Sequence, residues 1–245
     1  MKVIVIIPAA GLGTRMASAR GEKLPSTSKQ FTTLGGVPIL VHTLRKFAAC
    51  ERVSEIYLAL RKAEADRFRS TLEGEKFRTP VHLVEGGEHR QQSVGNALKA
   101  VTAAPGDIVL VHDAVRPFVD RETIVGVIEA VEKHGAAIAG VPAVDTIKQV
   151  ERTAEGAAIR ATIPREKVVL AQTPQGFRFD LGRKAFEDAE AEGFLGTDEA
   201  ALLERMGQEV AVVMGSPRNL KITTPADLEL AEFFLSQETR SNFAG

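Results

Sequence analysis

The chain has 245 residues, 44% of them hydrophobic and 26% charged, with a formal net charge of −1 at pH 7. That length allows one large α/β domain or two small ones with a sizeable core, and the near-neutral balance provides no basic field for nucleic acid. A single cysteine, Cys50, excludes an intrachain disulfide and a cysteine-rich zinc site; no apolar run approaches the roughly 18 residues of a membrane span and the N-terminal run is too short for a signal peptide, so a soluble, cytoplasmic protein is expected.

The segment from Lys2 to Ile7 is apolar and β-branched and reads as a buried strand. It breaks at Pro8-Ala-Ala-Gly11-Leu-Gly13-Thr-Arg15-Met16. Small residues let backbone approach a ligand, and a glycine turn leaving a strand cradles phosphates with its N–H groups. Met16 stands where a dinucleotide fingerprint has its third glycine, and no Gly-Lys-Ser/Thr closes the turn as in a Walker A loop. An arginine stands inside the turn instead, which points to a nucleoside triphosphate gripped by Arg15 as well as by backbone.

Further strands are predicted at Glu55–Leu60, Val81–Glu85, Asp107–His112, Ala136–Pro142, Val168–Gln172 and Glu209–Met214. Helices are predicted between and beyond them, at Pro38–Ala49, Ala63–Glu73, Gln91–Val101, Arg121–Lys133, Leu181–Ala191, Asp198–Met206 and Ala226–Ser236. This alternation implies βαβ units and an α/β fold with one doubly wound, mainly parallel sheet of Rossmann type. No repeat or linker divides the chain, so residues 1–236 read as one domain and 237–245 as a C-terminal tail. The rhythm breaks from Asp145 to Arg165, where two alternating segments flank a polar, glycine-containing turn. They predict an inserted β-hairpin arm, and an isolated hairpin is marginal in water, so the arm needs a packing partner.

Ligands of open α/β sheets bind beyond the carboxyl ends of the strands, and polar clusters fall there. They are Gly86-Gly-Glu-His-Arg90-Gln-Gln-Ser93, His112-Asp113-Ala-Val-Arg116-Pro117, Asp145-Thr146, Thr173-Pro-Gln175, Thr197-Asp-Glu199 and Asn219-Leu-Lys221-Ile-Thr223. Each has an ordinary explanation by itself: Gly86-Gly87 as a turn, Thr197 as a helix N-cap with Asp198 and Glu199 at the favourable end of the dipole, Lys29 and Lys221 as solvated lysines. Their convergence at one end of one sheet is the argument for a site.

The glycine turn, Lys29-Gln-Phe31, Leu34-Gly-Gly-Val-Pro38, Val111-His-Asp-Ala-Val-Arg-Pro117 and the later clusters occur in an order that resembles the 2-C-methyl-D-erythritol 4-phosphate cytidylyltransferase family of the nonmevalonate isoprenoid pathway, over roughly Val3 to Phe234. The resemblance implies a nucleotidyltransferase-like fold in which a polyol phosphate attacks the α-phosphorus of CTP and expels pyrophosphate. Two anions meet while charge builds on a five-coordinate phosphorus, so fixed cations matter more than a general base. By the resemblance, Arg15 and Lys29 stabilise the transition state, with Mg²⁺ held mainly by the CTP phosphates rather than by protein ligands. Lys221 and Arg165 hold the attacking phosphate in line. Asp113 and Thr146, with Arg116 nearby, contact the sugar-alcohol. Ala9, Ala10, Gly87, Glu88 and Ser93 read the cytidine, largely through backbone, beside Gly11 and Gly13 of the turn. The resemblance also implies a homodimer with shared active sites, in which the arms cross and Arg165 reaches the substrate bound to the partner. Nucleic acid and membrane are not expected partners.

One departure stands out. The family usually has Pro-Lys-Gln a few residues after the glycine turn, whereas here a longer segment, Ala17 to Ser28, intervenes and Ser28 replaces the proline. Lys29 and Lys23 are therefore both candidates for the second cation. A sister cytidylyltransferase acting on ribitol 5-phosphate differs only in overall likeness. A nicotinamide oxidoreductase is disfavoured further by Leu60-Arg61, which puts no acidic ribose anchor at the end of the second strand. A non-catalytic nucleotide sensor is a further alternative, but it would not need both Lys29 and Lys221 aimed at phosphates.

Overall fold

The computed structural model describes residues 1–11, 28–154 and 156–243; the readings of Gly13, Arg15 and Lys23 lie outside these. The chain opens with β1 (Val3–Pro8) and resumes at a 3-10 turn over Lys29–Phe31, followed by a two-stranded ribbon of β2 (Thr33–Leu34) and β3 (Val37–Pro38). Then come α1 (Ile39–Ala48), β4 (Glu55–Leu60), α2 (Lys62–Glu75), β5 (Val81–Glu85), α3 (Arg90–Ala100), β6 (Ile108–Val111), α4 (Arg121–His134) and β7 (Ala136–Pro142). The hairpin β8 (Ile147–Thr153) and β9 (Gly156–Ile163) leads through a 3-10 turn, Arg165–Lys167, into β10 (Val169–Arg178), α5 (Phe179–Ala191), α6 (Glu199–Arg205), β11 (Ala211–Met214) and α7 (Pro225–Phe243). The last helix runs past Ser236, where its sequence pattern was expected to end.

Seven strands form one sheet in the order β11-β7-β10-β6-β1-β4-β5. All neighbours are parallel except β10, which runs antiparallel to both β6 and β7. The mainly parallel α/β reading from the sequence holds, with one local correction. Thr173-Pro-Gln175, expected beyond a strand end, lies inside β10, where the ladder with β7 shifts between Ala171 and Gln175. Pro174 has no N–H to give to the ladder, so pairing is interrupted there and resumes at Gln175.

β1 shows why the sheet is buried on both faces. Val3, Val5 and Ile7 pack with Leu40, Leu44 and Phe47 of α1 and Val127 and Ile128 of α4. The alternate residues, Ile4 and Ile6, face Val94 and Leu98 of α3, Phe186 of α5 and Leu202 of α6. The period of two sends successive side chains to opposite faces, and each fully buried aliphatic is worth about 1.5–3 kcal/mol. A third cluster joins Leu34, Ile39, Val115 and Phe118 to Ile222 and Ala231, seating the approach to α7 on the loop after β6. Helix ends follow their local chemistry: Asp120 accepts from the Thr123 N–H at 2.7 Å to start α4, which stops at Gly135 with φ 86°.

The inserted hairpin forms a separate two-stranded sheet. Successive residues along both strands are exposed, so both faces are open; the paired Val150 and Ile159 are 52% and 64% exposed, and Val144, Val169 and Leu170 at the base of the hairpin are exposed too. Among the described residues no helix is long and apolar enough to cross a membrane.

Candidate active site

The carboxyl ends of β1 and β6 lie side by side where the winding reverses, the place at which such sheets bind ligands. Beyond β1, the Ala9 N–H donates to the Ala59 carbonyl at 2.8 Å, and Ala9 and Ala10 are buried. Gly86, past β5, lies against Ala10 so closely that a Cβ at this position would collide with the Ala10 methyl. Only glycine lets the two turns touch. Ser93, in the first turn of α3, then holds the loop: its Oγ accepts from the Gly87 N–H at 3.0 Å and donates to the His89 carbonyl at 3.1 Å. The Glu88 N–H donates to Gln92 Oε1 at 2.8 Å. Buried Gln30 donates from Nε2 to the Ala9 carbonyl and so ties the turn that carries Lys29 to the end of β1.

The resulting cleft, about 280 Å³, is lined by residues 8–11, Lys29, Gln30, residues 87–90, Ser93, residues 113–115 and Lys221. A larger hollow of about 380 Å³ lies between α3 and α5, with Leu98, Phe186 and Phe194 in its wall. It holds neither Asp113 nor Lys29 nor Lys221, so the candidate chemistry belongs to the smaller cleft.

The charged centre of that cleft is Asp113, 6% exposed at the end of β6. Its Oδ1 accepts from Arg90 Nε at 3.1 Å. Its Oδ2 accepts from Arg116 Nε at 3.2 Å and pairs with Lys221 Nζ at 2.8 Å. Burial would raise the carboxyl, but the cations of Arg90, Lys221 and Arg116 outweigh it and hold Asp113 well below the usual carboxylate range. The Asp113 N–H donates to Thr173 Oγ1 at 3.1 Å, and Thr173 Oγ1 lies 3.0 Å from His112 Nδ1, whose other nitrogen reaches the Arg116 carbonyl at 3.1 Å. Burial pushes His112 down to about 4, so it is neutral; Thr173 donates to Nδ1 and Nε2–H donates to the carbonyl. His112 is thus a strut for the loop and not a proton carrier.

Lys221 arrives from the far end of the chain. Ile222 N–H donates to the Val115 carbonyl at 2.9 Å, Arg116 Nη1 donates to the Asn219 carbonyl at 2.7 Å, and Asn219 Nδ2 donates to the Thr173 carbonyl at 2.7 Å. These bonds clamp segment 219–222 against the loop after β6 and place Lys221 on Asp113. Each buried bond is worth about 0.5–1.5 kcal/mol net, but leaving one unmade costs more.

Of the residues read from the sequence, the structure brings Ala9, Ala10, Gly11, Lys29, Gly87, Glu88, Ser93, Asp113 and Lys221 to this cleft, with Arg116 directly behind Asp113. Thr146 and Arg165 are not among its lining residues. Both are exposed at the base of the hairpin, where Arg165 Nη1 donates to the Val144 carbonyl at 2.7 Å. The helix cap is also displaced by one residue: Asp198, not Thr197, caps α6 by accepting from the Ala201 N–H at 3.0 Å.

Sequence reading missed one pair. Arg90 spans Asp113 and Glu199, donating to both Glu199 oxygens at 2.6 and 3.0 Å. Burial works against the Arg90 charge, but Glu199 and Asp113 hold it firmly protonated. A signal existed: Arg90 begins α3, the end of a helix where a cation is unfavourable, and no acid in that first turn offsets it.

The comparisons with known proteins converge on one family. The family model described as 2-C-methyl-D-erythritol 4-phosphate cytidylyltransferase matches residues 3–237. A protein of that name from Acidobacterium capsulatum is 59% identical over 239 residues, covering 98% of this chain and 99% of its own length. Another from Solibacter usitatus is 52% identical over 238 residues, covering 97% of each chain. Among solved structures, 4-diphosphocytidyl-2C-methyl-D-erythritol synthase from Anaerococcus prevotii superimposes with a TM-score of 0.80 at 31% identity, over 96% of this chain and 98% of that one. The Francisella tularensis 2-C-methyl-D-erythritol 4-phosphate cytidylyltransferase does so with a TM-score of 0.78 at 34% identity, over 95% and 99%. With its cation-ringed Asp113 and similarities that span nearly the whole of each chain, the chain belongs to the 2-C-methyl-D-erythritol 4-phosphate cytidylyltransferase family.

Proposed function

We propose that this protein transfers the cytidylyl group of CTP to 2-C-methyl-D-erythritol 4-phosphate, releasing pyrophosphate and forming 4-diphosphocytidyl-2-C-methyl-D-erythritol. The observation that carries this reading is one cleft with a backbone-walled slot at Ala9–Ala10 and Gly87–Ser93 and a charged end at Asp113, Lys221 and Lys29. In the slot, the N–H and carbonyl groups of the two turns read the cytosine. At the charged end, Asp113 accepts hydroxyls of the sugar-alcohol and Lys221 passes from Asp113 to the incoming phosphate. A phosphate oxygen of the polyol forms the new bond to the α-phosphorus. The bond from that phosphorus to the bridging oxygen breaks, and pyrophosphate leaves with the electron pair. No proton need be removed from the nucleophile, in keeping with a His112 that is neutral and fully engaged.

Mg²⁺ would enter on the triphosphate. Asp113 is covered by three cations and, among the described residues, Glu88 is the other carboxylate on the cleft, so most ligands of the ion would be phosphate oxygens and water. The donor set fits such a nucleotide-borne ion, which neutralises charge on the phosphates. By the family resemblance, Arg15 and Lys29 would stabilise the negative charge that builds at the α-phosphorus. If Arg15 acts on charge that grows in the transition state, Arg15→Ala lowers kcat about 10²–10³-fold with a smaller rise in the KM for CTP. Arg15→Lys restores only part of it, since an ammonium lacks the planar fork. Unchanged kcat with raised KM would show uniform ground-state binding instead.

The hairpin arm supports a homodimer with shared sites. Its outward Val150 and Ile159, with Val144, Val169 and Leu170 at its base, form apolar surface that a second copy would cover. Arg165 and Thr146, placed at the base of the arm and not in their own cleft, would then serve the cleft of the partner subunit.

The direct test is pyrophosphate release by purified protein. It should require CTP, a divalent ion and methylerythritol phosphate together. Equal turnover with ribitol 5-phosphate would move the assignment to the sister enzyme, and no nucleotide-dependent pyrophosphate release with either polyol would overturn the reading.

A further inference from the structure

Arg90 is the hinge of an arrangement that the substrate roles above leave unexplained. As the first residue of α3, it holds a guanidinium at the positive end of a helix dipole. Glu199, 1% exposed, faces it from the first position of α6, where an acid is favoured. The start of α6 is itself clamped: Gln175 Nε2 donates to Asp198 Oδ2 at 2.9 Å while Gln175 Oε1 accepts from the Ala200 N–H at 3.0 Å. Glu199 is thus a fixed carboxylate, and it takes both terminal nitrogens of Arg90. Arg90 meets Asp113 through Nε, which engages a single oxygen, Oδ1. The other oxygen, Oδ2, remains for Arg116 and Lys221.

We infer that Glu199 is a positioning residue for the polyol-phosphate half of the site, acting through Arg90 to aim Asp113 and Lys221 into the cleft. The inference rests on the function proposed above and deepens it. Without the Glu199 charge, the planar fork of Arg90 has one carboxylate within reach and turns to take both oxygens of Asp113. Lys221 loses its partner, and the face that meets the sugar-alcohol is rotated away. Cytosine reading is affected less, because the loop before Arg90 is held by Ser93 and Gln92 independently.

Steady-state kinetics on the full-length enzyme with CTP, Mg²⁺ and methylerythritol phosphate test this. Glu199→Gln keeps the size and removes the charge; it should raise the KM for methylerythritol phosphate roughly 10–100-fold, the scale of a small misplacement of a binding group. The KM for CTP should stay within about threefold. Glu199→Asp keeps the charge one methylene further back and should recover part of the loss. Combined with Arg90→Lys, which cannot hold two carboxylates in a planar fork, Glu199→Gln should add little to the effect of Arg90→Lys alone. A purely structural ion pair would lower Tm and leave both KM values unchanged in the folded enzyme, and that result overturns the inference. Should Glu199→Gln be insoluble, the methylerythritol-phosphate KM of Glu199→Asp decides: raised supports the role, unchanged removes it. Wild-type enzyme in the same assay separates the two layers, since its failure to form product would overturn the proposed function and not the role of Glu199.

Discussion

Asp113→Asn should be the most damaging single change in the cleft, abolishing most activity and lowering stability by about 3–5 kcal/mol at neutral pH. The substitution is nearly isosteric, so packing is preserved and the loss is electrostatic. Arg90, Arg116 and Lys221 would be left around a neutral amide, with Arg116 only 10% exposed and unable to recover its solvation. Lys221 is open enough to turn to water, which keeps the figure toward the lower end. The pH dependence follows from the direction of the shift. The Asp113 carboxyl is depressed in the folded state relative to its ordinary value of 3.8. Its contribution is therefore complete above that value and is lost progressively as pH falls below it toward the folded-state value. Urea unfolding of wild type and variant across the acid range checks both statements. The gap between them should be widest near neutrality and should shrink as pH falls below about 4. Equal stability at neutral pH would show that the three cations do not depend on Asp113.

Mixing two inactive enzymes should regenerate activity if the arm serves a neighbouring subunit. Lys221→Ala removes a cation from the cleft, and Arg165→Ala removes one from the base of the arm. Each homodimer should be nearly inactive. In a mixed dimer with swapped arms, one site carries both defects and the other neither. Random reassociation makes half the dimers mixed, so about a quarter of all sites regain wild-type composition. Activity that stays at the parental level after verified subunit exchange would place Arg165 in its own chain's site or outside the chemistry. If the exposed Val150 and Ile159 of the arm are covered by a second copy, a charged residue at either position should weaken association.

Most of the sheet was legible because its strands are continuous apolar runs and its helices are bounded by breakers. Lys2–Ile7 announces itself by β-branching, and the structure places the strand at Val3–Pro8; α4, expected over Arg121–Lys133, is bounded in the structure by Asp120 before it and Gly135 after it. Local signals of this kind require no knowledge of partners. The residues lining the cleft were legible for a related reason: Gly86-Gly87, Asp113 and Lys221 stand in polar, turn-forming segments that an apolar core cannot absorb. The direction of β10 was not legible. Parallel and antiparallel neighbours demand the same apolar residues, and only the path of the chain through the hairpin decides which way Val169–Arg178 runs.

The sequence by itself thus determined the α/β class, the inserted hairpin and the end of the sheet at which a site forms, since these follow from periodicity, turn chemistry and segment order along one chain. What only the tertiary structure decided is which charges meet. Arg90 and Glu199 are 109 residues apart, and Asp113 and Lys221 are brought together by segment 219–222 hydrogen bonding to the loop after β6. The energy of an ion pair depends on distance and on the exclusion of water, and neither exists in a linear sequence until the packed strands and helices create them.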